Sequence, residues 1–146
     1  MLGIIIAAGL GSRMGVFSQT RPKCLLPIAG RTLLERTIEN LQKAGCRKVI
    51  VVVGHKSEMI QHPDIEIVRN DDYSNNNILH SLMYAREHLN GPVIVSYSDI
   101  WVEPHIHQKL VGLGLVFRRI VCSCKTHPFY QYLQDEFPQE YQGQVQ

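Results

Sequence analysis

The chain has 146 residues, the length of a single domain, and a hydrophobic content of 45% that is sufficient for a packed core. Its formal net charge of +2 at pH 7 gives no reason to expect a nucleic acid or a membrane surface as a partner. No apolar run approaches the roughly 20 residues that span a bilayer, and the short apolar start lacks the basic leader of a signal peptide. The 4 cysteines are compatible with a reducing compartment, so we predict a cytoplasmic protein.

Apolar runs and helical periodicities alternate along the chain. Continuous apolar runs predict buried parallel strands, and apolar residues at helical spacing followed by glycine or proline predict helices. The predicted elements are, in chain order, a strand over Leu2–Ala8, a long loop over Gly9–Pro27, a helix over Thr32–Ala44, strands over Lys48–Val53 and Ile65–Val68, a helix capped by Asn75–Asn77 and continuing to Leu89, a strand over Val93–Tyr97, and a helix from Pro104 to about Leu110. This alternation predicts an α/β fold with a Rossmann-like, mostly parallel sheet flanked by helices on both faces.

The loop after the first strand has the composition of a phosphate cradle. Gly9 and Gly11 would let backbone N–H groups approach an anion closely, and Arg13 and Lys23 would neutralise a polyphosphate. Ligands of parallel sheets bind beyond the carboxyl ends of the strands, where this loop and Asp99 are both expected. The alternative is a glycine turn with solvated cations.

Two other phosphate-binding motifs fit this chain poorly. The Walker pattern requires Lys-Ser/Thr after its last glycine, and the dinucleotide pattern G-x-G-x-x-G fails because position 14 is Met. The second strand also ends in Gly54-His55-Lys56 instead of the acidic residue that binds a ribose. An NAD(P)-dependent oxidoreductase therefore stays a disfavoured alternative.

The N-terminal segment resembles the nucleotidyltransferase superfamily, which makes nucleotide sugars and related activated phosphates. The family signature A-G-x-G-x-R-M, followed by P-K-x-L-x-P, corresponds here to Ala8–Met14 and Pro22–Pro27. The segment Asn70–Leu82 is similar to an asparagine-rich segment of choline-phosphate and inositol-phosphate cytidylyltransferase-like members.

This resemblance implies a reaction and a set of residues. A nucleotidyl group would pass from a nucleoside triphosphate, CTP being favoured, to a small phosphate monoester such as phosphocholine, inositol phosphate or a sugar 1-phosphate, with release of pyrophosphate. The implied residues are Arg13 and Lys23 for catalysis, Ala8, Gly9, Gly11, Asn76 and Ser81 for nucleotide binding, and Asp99 for Mg²⁺. The acceptor phosphate is itself the nucleophile, so alignment and charge neutralisation would supply the catalysis.

Simpler explanations exist for some of these residues. Asp99 could cap a turn, and Asn75–Asn77 could cap a helix in which Ser81 has no contact with the ligand. The seven histidines are scattered and predict surface or core roles. A homodimer is a further possibility, because a missing sheet edge exposes unpaired backbone.

The family resemblance covers residues 1–111, which we take as the nucleotide-binding core. Residues 112–146 have no clear periodicity and are predicted to be a divergent tail, not a separate domain. Family members are longer and have a second metal-binding carboxylate that we do not find here. A C-terminal truncation or frame shift is therefore expected, and a catalytically inactive nucleotide-binding remnant is the alternative function.

Overall fold

The structure, a computed structural model, describes residues 1–10, 20–75, 77–100 and 102–112. The described strands and helices are β1 (Leu2–Ala7), β2 (Pro27–Ile28), β3 (Arg31–Thr32), α1 (Leu33–Lys43), β4 (Lys48–Val53), β5 (Glu66–Arg69), α2 (Ile78–Met83), β6 (Val93–Tyr97) and α3 (Pro104–Gly112). Short 3-10 turns lie at Lys23–Leu25, Ser57–Met59 and Arg86–His88. The predicted tail of residues 112–146 lies outside the described residues except for Gly112, which ends α3, so the tail and the domain boundary stay predictions.

The central sheet has four strands in the order β5-β4-β1-β6, and every neighbouring pair is parallel. In this register Leu2 lies opposite Lys48 on one side and Val93 on the other. The strands β2 and β3 form a separate antiparallel hairpin. The predicted α/β class with a parallel sheet is confirmed.

Helical segments cover both faces of this sheet. Successive strand residues point to opposite faces, so neighbouring residues of β1 enter different halves of the core. Ile5 packs in a cluster that includes Leu34 and Ile38 of α1, whereas Ile4 packs with Leu82 and residues near it on the other face. Burying each such side chain contributes about 1.5–3 kcal/mol, so the two layers account for much of the stability of the fold.

The helix α1 has a defined start and stop. Glu35 donates its backbone N–H to Thr32 Oγ1 at 3.1 Å, and its carboxylate accepts from the Thr32 backbone N–H at 2.7 Å. The hydrogen bonds from Thr32 hold the pKa of the Glu35 carboxyl below its usual value. Gly45 follows the helix with a φ of +95°, a conformation that glycine adopts without strain.

The prediction of one helix from the asparagines to Leu89 is wrong at its C-terminal end. The helix α2 begins after Asn77, whose side chain accepts from the His80 backbone N–H at 3.0 Å, but it ends at Met83. The 3-10 turn Arg86–His88 then follows. The remaining predicted helices and strands agree with the structure to within one or two residues at each end.

The helix α2 ends early because its last hydrogen bonds change from α-helical to 3-10 spacing. Tyr84 donates to the carbonyl of Ser81 at 3.2 Å, and Ala85 donates to the carbonyl of Leu82 at 2.9 Å, so each bond spans three residues instead of four. This tighter winding places Ala85 and Leu82 in the core at 0% and 4% exposure. The apolar spacing is similar in both kinds of helix, so it could not reveal the change.

Among the helices in the described part of the chain, none is long and apolar enough to cross a membrane.

Candidate active site

The carboxyl ends of three strands meet at one edge of the sheet. Ala8 follows β1, Gly54 follows β4, and Ser98 follows β6. Backbone hydrogen bonds extend the sheet into these segments: the Ser98 N–H donates to the carbonyl of Ile6 at 3.2 Å, and the His55 N–H donates to that of Ala8 at 3.4 Å. This edge is where parallel α/β sheets bind ligands.

Lys23 is held at this edge by a short anchored turn. The Leu25 N–H donates to the carbonyl of Pro22 and the Leu26 N–H donates to that of Lys23, each at 3.0 Å. The next residue, Cys24, is 1% exposed and belongs to the core under α1. Burial raises the pKa of the Cys24 thiol to about 12, so it stays neutral and packs as an apolar side chain. The turn therefore fixes the base of the lysine while its side chain points toward the sheet edge.

The structure brings Lys23 and Asp99 together across the sheet edge. Their charged atoms, Nζ and Oδ2, are 3.5 Å apart although the residues are separated by 76 positions in the sequence. The lysine side chain is 18% exposed and the aspartate side chain 45%. A pair this exposed contributes only about 0–1 kcal/mol to stability. Both groups are therefore available to a ligand at little cost to the fold.

The first residues of the predicted phosphate loop border the same place. Ala8 is 1% exposed, whereas Gly9 is exposed and a Cβ added to it would meet no atom of the described residues within 4 Å. In the described part of the chain, no side chain fills the space above Gly9. Gly11 and Arg13 lie outside the described residues, so their predicted roles stay predictions.

The chemistry of Asp99 fits one part of a divalent metal site. Its carboxylate supplies the hard oxygen that Mg²⁺ prefers, and Mg²⁺ commonly uses one or two carboxylates together with substrate phosphates. Within the described ranges, no group of three or more His, Cys, Asp or Glu residues could hold a metal ion. A Mg²⁺ ion at Asp99 would complete its oxygen ligands with water and substrate phosphates.

Ser81 lies in the asparagine-rich segment Asn70–Leu82 that the sequence assigned to nucleotide binding, but its side chain is buried. It is 4% exposed, and its hydroxyl accepts from Asn70 Nδ2 at 2.9 Å and donates to the carbonyl of Asn77 at 3.2 Å. Asn76 lies outside the described residues. The predicted nucleotide contacts of both residues stay predictions.

Sequence reasoning missed the role of Gly54. A Cβ at Gly54 would lie 2.5 Å from Cβ of Tyr73 and 2.7 Å from the carbonyl oxygen of Ala8, so no other residue fits there without displacement. The Tyr73 ring also lies beside the His55 ring, with centroids 5.9 Å apart. The only available signal was a glycine directly after an apolar strand, which marks a close backbone approach without naming the partner.

The sequence model of a protein family described as the MobA-like NTP transferase domain matches residues 3–113 of this chain. The chain belongs to this family. The match confirms the resemblance to nucleotidyltransferases, and it includes the strands, the Lys23 turn and Asp99.

Individual relatives of this chain are named as enzymes that form cytidylyl compounds. The chain is 38% identical over 117 residues to a CMP-5'-(3-aminopropyl)phosphonate synthase of Streptomyces rubellomurinus, covering 75% of this chain and 19% of that protein. It is 33% identical over 123 residues to a 2-aminoethylphosphonate cytidylyltransferase of Lancefieldella rimae, covering 80% of this chain and 50% of that protein. Among solved structures, the CTP:phosphocholine cytidylyltransferase of Streptococcus pneumoniae superposes with a TM-score of 0.62 at 31% identity, over 67% of this chain and 45% of that one.

The chain thus spans at most half the length of these three proteins.

Proposed function

We propose that this chain transfers a cytidylyl group from CTP to a small phosphate or phosphonate and releases pyrophosphate. The observation that carries the proposal is the placement of Lys23 beside Asp99, 3.5 Å apart, at the carboxyl edge of the sheet and next to the open loop start at Gly9. A cation and a carboxylate so placed suit a triphosphate and its counter-ion. Membership of the family supports the same reaction.

The reaction requires little acid–base chemistry from the protein. An oxygen of the acceptor phosphate or phosphonate attacks the α-phosphorus of the triphosphate, a new P–O bond forms, and the bond to the bridging oxygen breaks with pyrophosphate as the leaving group. The nucleophile is already an anion, so positioning and charge neutralisation dominate. Lys23 would neutralise the α-phosphate as the acceptor oxygen arrives, and Arg13 would hold the leaving pyrophosphate.

Other residues would hold the nucleotide and its counter-ion. The backbone of Ala8, Gly9 and Gly11 would cradle the phosphates. Asn76 and Ser81 belong to the segment assigned to the nucleoside. Asp99 would hold the Mg²⁺ ion, which would offset the charge of the triphosphate.

The relatives support CTP and a small anionic acceptor. Three of them are described as acting with aminopropylphosphonate, aminoethylphosphonate and phosphocholine, which all pair a phosphorus oxyanion with an amine or ammonium group. The predicted phosphate monoester acceptor is thereby widened to include phosphonates. The cytoplasmic location and the homodimer stay predictions.

A substrate screen tests this function. Pyrophosphate release would be measured with Mg²⁺ for each of four nucleoside triphosphates against phosphocholine, 2-aminoethylphosphonate, inositol phosphate and a sugar 1-phosphate. We expect release with CTP and at least one acceptor, and none without an acceptor. If CTP raises the melting temperature but no acceptor supports release, the inactive-remnant alternative is correct. Oxidation of NAD(P)H in place of release would favour the oxidoreductase.

A further inference from the structure

The helix α1 is joined to the turn that carries Lys23. The first residue of the helix, Leu33, donates its backbone N–H to the carbonyl of Leu26, at the end of that turn, at 3.3 Å. Cys24, which follows the lysine, packs in the same core cluster as apolar residues of α1. The position of the lysine along the sheet edge is therefore set by this helix.

The same helix holds the segment that carries Asp99. Directly before the aspartate, the Ser98 N–H donates to the carbonyl of Ile6 in β1 at 3.2 Å. Three residues after it, the carbonyl of Val102 accepts from Asn40 Nδ2 of α1 at 2.7 Å. Asp99 thus lies between two fixed points, of which the first belongs to the sheet and the second to α1.

Asn40 is a buried polar side chain whose bond leaves its own helix. It is 5% exposed, and a buried amide is costly unless it is hydrogen-bonded. Thr37, another buried polar residue of α1, bonds within the helix instead, from its Oγ1 to the carbonyl of Leu33 at 2.9 Å. The amide of Asn40 therefore connects two segments that are 62 positions apart in the sequence.

We propose that Asn40 is a positioning residue that holds Asp99 in place beside Lys23. It acts through the carbonyl of Val102, so that α1 aligns the lysine at one end and the aspartate at the other. This inference rests on the proposed function, in which Asp99 holds Mg²⁺ and Lys23 neutralises the α-phosphate. A displacement of about 1 Å in such a pair can cost a large part of the rate.

Three variants of α1 separate positioning from general stability. Asn40→Ala removes the donor, and Asn40→Leu removes it while filling the space, so the test remains if the cavity in Asn40→Ala prevents folding. Thr37→Val is the matched control, because Thr37 is 3% exposed and loses a bond on the same helix. Pyrophosphate release from CTP would be measured against Mg²⁺ concentration, with thermal melting of the same samples.

We expect all three variants to melt a few degrees lower than the unmodified chain, because each loses one buried hydrogen bond. Only the Asn40 variants should lower the maximal rate, by about tenfold, and raise the Mg²⁺ concentration for half-maximal rate, by about threefold or more. Thr37→Val should stay within about twofold of the unmodified chain in both quantities. Equal losses in Thr37→Val and the Asn40 variants, or an unchanged Mg²⁺ dependence, would overturn the inference.

A double variant tests whether the effect passes through Asp99. When Asp99→Asn has already removed the carboxylate, adding Asn40→Ala should lower the rate by less than about twofold, because residues that act through one contact are not additive. A further loss of about tenfold would show that Asn40 acts on the site by another route and would contradict the proposal.

A measurement without substrate separates this inference from the proposed function. The Ser98 amide should exchange its hydrogen about tenfold faster in Asn40→Ala than in Thr37→Val, because release of Val102 loosens the segment around Asp99. Equal exchange in the two variants would overturn the inference even in an active enzyme. If the unmodified chain releases no pyrophosphate with any acceptor, the proposed function is wrong, and the exchange rates still decide whether Asn40 holds this segment.

Discussion

Replacing Lys23 with alanine should abolish most catalysis while leaving the fold intact. The Lys23 side chain is 18% exposed and its only described ionic partner, Asp99, is 45% exposed and 3.5 Å away. A pair of this kind contributes about 0–1 kcal/mol to stability. We therefore expect the melting temperature of Lys23→Ala to fall by no more than a few degrees.

The expected loss of rate is much larger than this change in stability. Near a protein surface, two unit charges about 4 Å apart interact with roughly 4 kcal/mol. Part of this interaction already exists with bound substrate, and removal of one preorganised donor typically costs at least ~100-fold in rate, equivalent to about 2.7 kcal/mol. Lys23→Arg should recover only part of the rate, since a planar guanidinium does not replace a compact ammonium.

The assay is pyrophosphate release, accompanied by thermal melting of the same samples. Lys109→Ala is the matched control, because Lys109 is an exposed lysine of α3. A well-folded Lys23→Ala protein with full activity would refute the assignment of Lys23. A loss of rate that parallels a loss of folded protein would also contradict the argument, because it would make Lys23 structural.

Three further predictions concern the metal, the sheet edge and pH. Asp99→Asn should lower the rate and raise the Mg²⁺ concentration that gives half-maximal rate, because it removes the charge that holds the ion; an unchanged Mg²⁺ dependence would leave Asp99 as a turn residue. Gly54→Ala should lower the melting temperature, since its Cβ would lie 2.5 Å from the Tyr73 Cβ. Gly9→Ala should not, since its Cβ meets no described atom within 4 Å, and equal melting temperatures for the two variants would show that the contact at Gly54 relaxes freely. Burial lowers the pKa of His107 below the value of 6.5 that it has in the unfolded chain. As the pH falls below 6.5, the unfolded chain takes up a proton on His107 before the folded chain does, so the free energy of unfolding decreases. In urea unfolding from pH 7.5 to 5.5, His107→Leu should therefore show a shallower decline than the unmodified chain, and exposed His105→Leu should follow the unmodified chain; parallel curves for all three would exclude His107 as the source.

The setting of His107 explains why this pH effect is expected. It is 4% exposed on α3, and among the described residues its Nδ1 has no hydrogen-bond partner. The helix α3 packs against α1, and Asn40 of α1 donates to the carbonyl of Val102 just before α3 at 2.7 Å. A proton on His107 would place a charge at this buried position, where its Nδ1 has no described hydrogen-bond partner.

The sequence was most informative where burial alone decides the structure. The strand β4 has the predicted bounds, because a strand buried on both faces is a continuous apolar run that ends where the chain becomes polar or turns. The strand β6 also has the predicted bounds, although it lies at the edge of the sheet and Val95 and Tyr97 are exposed. The start of α1 was predicted to within one residue from its apolar spacing, and the structure adds the capping box of Thr32 and Glu35, which the sequence analysis did not use. The end of α2 was not predictable, because it depends on a change of hydrogen-bond spacing that leaves the apolar pattern intact.

The sequence predicted where the candidate site lies, but not the contacts between its residues. The rule for parallel sheets places Lys23 and Asp99 at the same edge, yet their 3.5 Å contact depends on a turn anchored by buried Cys24. The burial of Ser81 was also hidden, since its partner Asn70 comes from a different segment. Contacts between segments distant in sequence are set by packing, which the local pattern does not encode.

In the proposed reaction, the α-phosphorus of CTP is transferred to an acceptor phosphate or phosphonate. Phosphorus NMR of the full chain with CTP, Mg²⁺ and phosphocholine or 2-aminoethylphosphonate tests it most directly, because each phosphorus atom is observed separately. We predict a new anhydride linkage between the α-phosphorus and the acceptor, together with an equal amount of pyrophosphate. Orthophosphate in place of pyrophosphate, or CTP that remains intact with every acceptor despite binding to the folded chain, would contradict the claim.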